Sequence, residues 1–274
     1  MKIAFKIQPS ANKNVALHLL IEVGDEDISF LIFSKVPFKI EGLYSLSFEK
    51  NIIPTNYINE VKKYIEETTF LQEINYSSTV IFYNFSTAVL VPLQYFVEDK
   101  KQEILDQLFV PDTSRICFEE TCNDQSIKNI YSVPAVIHNS FVKLYSLCKF
   151  AHSTSYQLTN KDAALYCIIY SASIKVIFFK EKELQIVQYF NYTTPADVCY
   201  HILNVAERFE TTSSEINLIL SGMIDVNSTL YKELYKYFLN INFAETQNII
   251  VSEELEELPS HFYHHLTALA NAHN

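Results

Sequence analysis

Glycine is nearly missing from this chain, with three in 274 residues, far below ordinary usage. Loops that cradle phosphate on bare backbone consume glycine. Accordingly no Walker loop, Rossmann fingerprint or Gly-x-Ser-x-Gly elbow occurs. Positive charge is also short, with 21 Lys and Arg against 32 Asp and Glu and a formal net charge of −11. Phosphate-backbone binding draws on clustered Lys and Arg, and none cluster here, so direct nucleic-acid binding is excluded. The acidity reads as solubility, or as an acidic docking surface for a basic partner. No run approaches the roughly 18 uncharged apolar residues of a membrane helix. Met1 to Lys6 has no long apolar segment behind it, so neither a span nor a signal peptide is expected and the protein is expected to be cytoplasmic. The five cysteines, Cys117, Cys122, Cys148, Cys167 and Cys199, are an odd set. Cys148, Cys167 and Cys199 lie within apolar patterns, which predicts reduced thiols rather than a disulfide framework.

What is present is a recurring order of elements. From 163 to 238 the chain reads strand, strand, strand, helix, strand, helix. Ala163 to Tyr170, Ile174 to Phe179 and Leu184 to Phe190 are apolar or alternating segments separated by Ser171-Ala172-Ser173 and by Lys180-Glu181-Lys182-Glu183, a meander of two hairpins. Thr194-Pro195-Ala196-Asp197 then supplies an N-cap hydroxyl, a first-turn proline and a first-turn acid. The helix it opens runs to about Phe209, with Val198, Ile202, Val205 and Phe209 at helical spacing. Ile216 to Leu220 is a short strand ending in Ser221-Gly222, and a helix over 227 to 238 follows, with 230, 234, 237 and 238 as its core stripe.

The same order occurs earlier. Residues 1 to 14 read as a lead-in. Ala16 to Val23, Ile28 to Phe33 and Phe38 to Phe48 form a meander, with Gly42 as a bulge; Ile58, Val61 and Ile65 set a helix after Pro54, and Ser78 to Tyr83 is a strand. The chain therefore reads as a duplication without recognisable identity between the copies. A helix from Asp99 to Leu108, a cysteine-bearing loop at 111 to 127, a strand at Ile130 to Val133 and a helix from Pro134 to Cys148 complete the first copy as strand-helix units. The expected domains are 1–152 and 153–274. Each is ribonuclease H-like, and together they make an actin-like ATPase fold of the α/β class.

Particular stretches sharpen this. Gln188-Tyr189-Phe190-Asn191-Tyr192, Pro195-Ala196-Asp197, Tyr200, Leu220-Ser221-Gly222 and Leu230-Tyr231 through Tyr237-Phe238 resemble an uncharacterised bacterial family, domain of unknown function 3822. Leu90-Val91-Pro92, Tyr95-Phe96, Ala151-His152-Ser153-Thr154, Leu258-Pro259 and Phe262-Tyr263 extend the resemblance over nearly the whole chain. The resemblance implies an actin-like ATPase fold, distantly similar to the actin-like protein of type IV pilus assembly, with no activity assigned.

ATPases of that fold bind nucleotide through two phosphate hairpins, each with Asp-x-Gly at the end of its first strand, and through an adenosine loop with paired glycines. Here the first hairpin has Glu22-Val23-Gly24 followed by Asp25, Glu26 and Asp27, three more negative charges where polyphosphate would sit. The second has Ile169-Tyr170-Ser171, without acid or glycine, although Ser171 and Ser173 offer hydroxyl donors. The adenosine loop keeps one glycine, Gly222. If ATP and magnesium bind, Glu22, Gly24, Ser171, Ser173 and Gly222 are the residues expected to hold them. Turn geometry alone, which tolerates positive φ, is the competing account of the same residues.

No catalytic residue and no metal-ligand set is expected. His261 and His265 fall one turn apart on the expected terminal helix, but no glutamate follows the first, and a wet helix face accounts for them. Cys117 and Cys122 have no second pair with which to form a zinc knuckle. The leading expectation is an interaction or assembly module with degenerate nucleotide loops and no cofactor, acting on a protein partner, with a homodimer among the arrangements open. The alternative is a nucleotide-binding switch or ATPase with divergent phosphate loops. A metal-dependent nuclease would need converging carboxylates, and Glu22 is the one acid near the end of a central strand in the first copy.

Overall fold

The computed structural model describes residues 1–9, 15–72, 76–122, 126–158, 162–246 and 249–272. Of the stretches read from sequence, Ser10 to Asn14 of the lead-in and 123–125 of the cysteine loop lie outside them. The chain forms two compact units, Met1–Thr159 with Asn248–Glu257 and Leu269–Asn274, and Asn160–Gln247 with Leu258–Ala268.

The first unit is built on the strands β1 (Lys2–Ile7), β2 (Leu17–Gly24), β3 (Asp27–Lys35) and β4 (Phe38–Ser47), the helix α1 (Pro54–Glu67) and the strand β5 (Ser78–Asn84). β2, β3 and β4 form the expected antiparallel meander, and β5 returns parallel to β2. β2 is buried along most of both faces, so apart from His18 and Glu22 it reads as an apolar run rather than an alternating strand. α1 lays Tyr57, Ile58, Val61, Tyr64 and Ile65 on the face carrying Leu19, Ile21, Phe30 and Tyr44. At about 1.5–3 kcal/mol for each large apolar side chain buried, this stripe outweighs the intrinsic helical preference of a 14-residue segment.

Between β5 and the end of this unit the structure departs from the expected strand-helix units. The strands β6 (Ala88–Pro92), β7 (Arg115–Thr121) and β8 (Ile127–Pro134) form their own antiparallel sheet in the order β6-β8-β7, with α2 (Lys101–Leu108) packed against it. β7 occupies the middle of what reads as a cysteine-bearing loop. Its partly covered faces give Arg-Ile-Cys-Phe-Glu-Glu-Thr no clean alternation, because neither side is fully dry. Pro92 opens only one turn of 3-10 helix, Leu93–Tyr95. Then α3 (Ala135–Leu144), the strand β9 (Lys149–His152), which extends the main sheet parallel to β5, and the short helix α4 (Ser153–Gln157) complete the unit. The lead-in also holds a strand, since β1 pairs antiparallel with β4.

The second unit contains β10 (Ala164–Ile169), β11 (Ser173–Lys180), β12 (Glu183–Asn191), α5 (Pro195–Arg208), β13 (Asn217–Gly222), α6 (Thr229–Leu234) and β14 (Asn240–Phe243). Its sheet order, β12-β11-β10-β13-β14, repeats the order β4-β3-β2-β5-β9 of the first unit strand for strand, which is the duplication read from element order. α5 starts on the expected signal. Thr194 Oγ1 accepts the Asp197 N–H at 3.3 Å, and Asp197 Oδ2 accepts the N–H groups of Thr193 and Thr194 at 2.9 and 2.8 Å, a closed capping box. Val198, Cys199, Ile202, Val205 and Ala206 bury its inner face. α6 is shorter than the helix expected over 227 to 238. Leu230, Leu234 and Phe238 are buried, but Tyr237 is 45% exposed rather than in the core stripe.

No described helix is long and apolar enough to cross a membrane. All five cysteines are free thiols. Burial pushes the Cys167 thiol well above its ordinary value, with Cys199 adding to the effect, and pushes the Cys199 thiol up to about 11. A colorimetric thiol titration is therefore expected to find Cys167, Cys199 and the buried Cys122 slow in the native protein and five groups after denaturation without reductant.

Candidate functional site

The residues singled out from sequence fall at the carboxyl ends of the central strands, where α/β sheets place their ligands. Glu22 and Gly24 belong to the first unit, and Ser171, Ser173 and Gly222 belong to the second.

In the first hairpin Glu22 is 3% exposed and sits within β2, opposite Ser29 of β3 and Phe82 of β5, rather than at the tip. Gly24 pairs with Asn84. Its φ is not positive, and an added Cβ would meet nothing closer than the Asp27 carbonyl at 3.5 Å. Tolerance of positive φ therefore does not explain this glycine. The acids of the tip have a structural use. Asp25 Oδ2 accepts the Ser86 N–H at 3.0 Å, so it caps the loop after β5. Glu26 Oε1 accepts the N–H of Asn51, a residue held at φ 60, at 2.7 Å. The Asp27 carbonyl accepts the Tyr57 hydroxyl at 3.0 Å. Burial, then Asp27 and Asp25, push that phenol far above its ordinary pKa.

In the second hairpin, backbone groups are also engaged. Tyr170 N–H donates to the Ser173 carbonyl at 2.9 Å, Tyr192 N–H to the Ala172 carbonyl at 3.0 Å, and the Tyr192 hydroxyl to the Tyr170 carbonyl at 2.8 Å. Ser171 is exposed, whereas Ser173 is half-buried and pairs with Asn191 of β12. Gly222 ends β13 beside Ile169 at φ +83, and Met223 N–H donates to the Ile169 carbonyl at 2.7 Å. A Cβ on Gly222 would lie 2.2 Å from that carbonyl oxygen. The ends of β10 and β13 thus bring Ser171, Ser173 and Gly222 to one end of one sheet.

The histidines differ from expectation. His261 lies in a 3-10 turn before the terminal helix, which begins at His264, so His261 and His265 do not share a helix. Both are buried rather than wet. His261 Nε2 donates to the Ile224 carbonyl at 2.7 Å, and its ring stacks on Phe243 with centroids 4.1 Å apart. Aromatic packing claims these histidines. Among the described residues no group of His, Cys, Asp and Glu has the arrangement to hold a metal ion.

Sequence reading missed a buried polar network in the first unit. Glu120 of β7 accepts the His152 N–H at 2.7 Å and the Ser155 hydroxyl at 2.5 Å through one oxygen, Oε1. Asn129 Nδ2 donates to Ser155 Oγ at 3.0 Å, and Ser153 Oγ donates to Asn84 Oδ1 at 2.7 Å. His152 accepts the Thr154 N–H on Nδ1 and donates from Nε2 to the Phe85 carbonyl, so both ring nitrogens are committed and it is no general base. Burial pushes the Glu120 carboxyl up to about 7, against the pull of its two hydrogen bonds. The available signal was the polar run His152-Ser153-Thr154-Ser155 directly after an apolar strand.

Two mixed sheets that share one five-strand order, each built on a meander, define an actin-like ATPase fold. Solved structures agree. A Bacteroides thetaiotaomicron protein with an actin-like ATPase fold and unknown function superposes with a TM-score of 0.74 at 15% identity, over 94% of this chain and 97% of the other. A chain of the PilM–PilN type IV pilus biogenesis complex gives 0.61 at 11% identity, over 94% and 98%. The cytoplasmic domain of EpsL, an inner membrane component of the type II secretion system of Vibrio cholerae, gives 0.51 at 10%, over 94% of each. No curated protein matches in sequence. The model of the family described as protein of unknown function (DUF3822) matches residues 7–241, and the chain belongs to that family.

Proposed function

We propose that this chain is a non-catalytic actin-like protein, a pseudo-ATPase that acts in the cytoplasm as an interaction or assembly module for another protein. The observation that carries the reading is the use of the first hairpin's acids. Asp25 and Glu26 cap neighbouring loops through backbone N–H groups, an architectural duty in a position where a nucleotide-binding relative needs phosphate donors. Three acids in succession there repel polyphosphate, and the second hairpin has neither the acid nor the glycine. Support for a protein partner comes from the PilM–PilN complex among the similar structures and from exposed aromatic side chains of the second unit, Tyr200, Tyr235 and Tyr237. A second copy of the chain and a different protein both satisfy this reading.

Isothermal calorimetry with MgATP, ATP alone and magnesium alone tests it. No saturable heat is expected from any of the three at physiological concentration. Micromolar MgATP binding that Glu22→Gln or Ser171→Ala weakens by about tenfold or more would instead establish the nucleotide switch.

A further inference from the structure

A pocket of about 250 Å³ opens in the first unit between α2, the segment that follows it, the start of β7, Ser132 of β8 and Thr87. The Arg115 guanidinium forms part of its lining. Nε donates to Ser132 Oγ at 2.9 Å and Nη2 to the Ser132 carbonyl at 2.7 Å, while Cζ lies 5.6 Å from the centroid of the Phe85 ring. Those contacts hold the fork in one orientation, and among the described residues Nη1 has no hydrogen bond and the group no ion pair. A preoriented guanidinium with an open edge recognises planar anions, carboxylate above all. Burial pulls its pKa down, with Asp25 and Asp112 acting in the opposite direction, so the charge is incompletely compensated where it stands.

The rest of the lining limits the ligand. Asp106 and Asp112 both face the pocket. Asp112 Oδ1 is taken by the N–H and hydroxyl of Ser114, and Asp106 Oδ1 by Gln102 Nε2, which leaves each carboxylate a second acceptor oxygen. A phosphate would face these two carboxylates, and a simple cation would face the guanidinium. Leu105, Phe109 and Val110 add an apolar wall. A group with one carboxylate and one ammonium a bond or two apart, plus an apolar side chain, satisfies all three features.

We propose that the Arg115 pocket binds a free apolar α-amino acid, its carboxylate on Arg115, its ammonium between Asp106 and Asp112, and its side chain against Leu105 and Phe109. A chain terminus offers only one of the two charges within a residue's reach and is the poorer fit. The site adjoins the first hairpin, because Thr87 in its lining follows Ser86, the residue capped by Asp25. Occupancy is thereby placed beside the loop on which nucleotide would report in an active relative.

The test is calorimetry on the full chain with free L-leucine and L-phenylalanine, their N-acetyl and amide derivatives, and inorganic phosphate. At least one free amino acid is expected to bind saturably, with blocking of either end weakening it about tenfold or more. Arg115→Gln should weaken it by a similar factor. Asp106→Asn, a change at an exposed side chain, keeps the fold intact and should do the same if Arg115→Gln disturbs packing. Absence of saturable binding by both free amino acids at millimolar concentration overturns the proposal. So does equal binding of the blocked derivatives, or binding of phosphate in their place.

Discussion

Gly222→Ala is expected to destabilise the protein by about 3 kcal/mol or more, the largest effect expected of a methyl group added at any of the three glycines. Two terms add. At φ +83 an L side chain is in the left-handed region, which costs about 1–2 kcal/mol by itself. The new Cβ would also stand 2.2 Å from the Ile169 carbonyl oxygen and 3.0 Å from its nitrogen, both backbone atoms of a strand hydrogen-bonded on two sides. Relief requires moving β13 away from β10, which breaks the Met223 to Ile169 hydrogen bond of 2.7 Å. Gly24→Ala is the matched control. There φ is not positive and the nearest atom is at 3.5 Å, so the change should stay within about 1 kcal/mol. Urea unfolding of both variants decides the matter, and equal midpoints would refute the role given to Gly222. Its substitution is for the same reason a poor probe of nucleotide binding, since loss of binding would follow loss of the fold.

The meander, the helix α5 and the duplication were legible because each rests on local signals. Thr194, Pro195 and Asp197 state where α5 begins before any tertiary contact is known, and apolar strands with short polar breaks state the meander. The departures have a common cause, which is partnership over long sequence distance. β1 is largely exposed along its length and becomes a strand only because β4 offers an open edge. From sequence Gly42 marks a bulge, and Glu41 is the extra residue beside it. What requires glycine there is closeness to β1 and Pro9, since a Cβ would lie 3.0 Å from the Ile7 carbonyl and from Pro9 Cδ. β7 was hidden by consecutive glutamates, one of which, Glu120, is turned inward to hold His152 and Ser155. The Arg115 pocket has no motif, because its lining joins Thr87, residues scattered through 102–115, and Ser132.

Glu120 makes the stability of the first unit depend on pH in the direction opposite to that of most carboxylates. Its folded pKa is raised from 4.5 to about 7 by burial. The stability it contributes is therefore complete below about 4.5 and lost as pH rises through about 7. The full shift would correspond to about 3 kcal/mol, and partial solvent access reduces this to roughly 2 kcal/mol. His261 and His264, whose pKa values burial lowers, weaken the fold toward acid instead, so the raw curve of stability against pH mixes both signs. The difference between wild type and Glu120→Gln separates them. Gln keeps an acceptor for the His152 N–H and the Ser155 hydroxyl but does not ionise, so it should match wild type near pH 4, below the unfolded pKa, and exceed it by roughly 2 kcal/mol near pH 8. Glu120→Ala leaves the buried N–H and hydroxyl without their acceptor and should cost about 2–4 kcal/mol at pH 4, at the level of one or two orphaned polar groups. Chemical denaturation of the three proteins at the two pH values measures all of this. A Glu120→Gln difference that does not change with pH would show that the carboxyl ionises in the fold as it does in the unfolded chain.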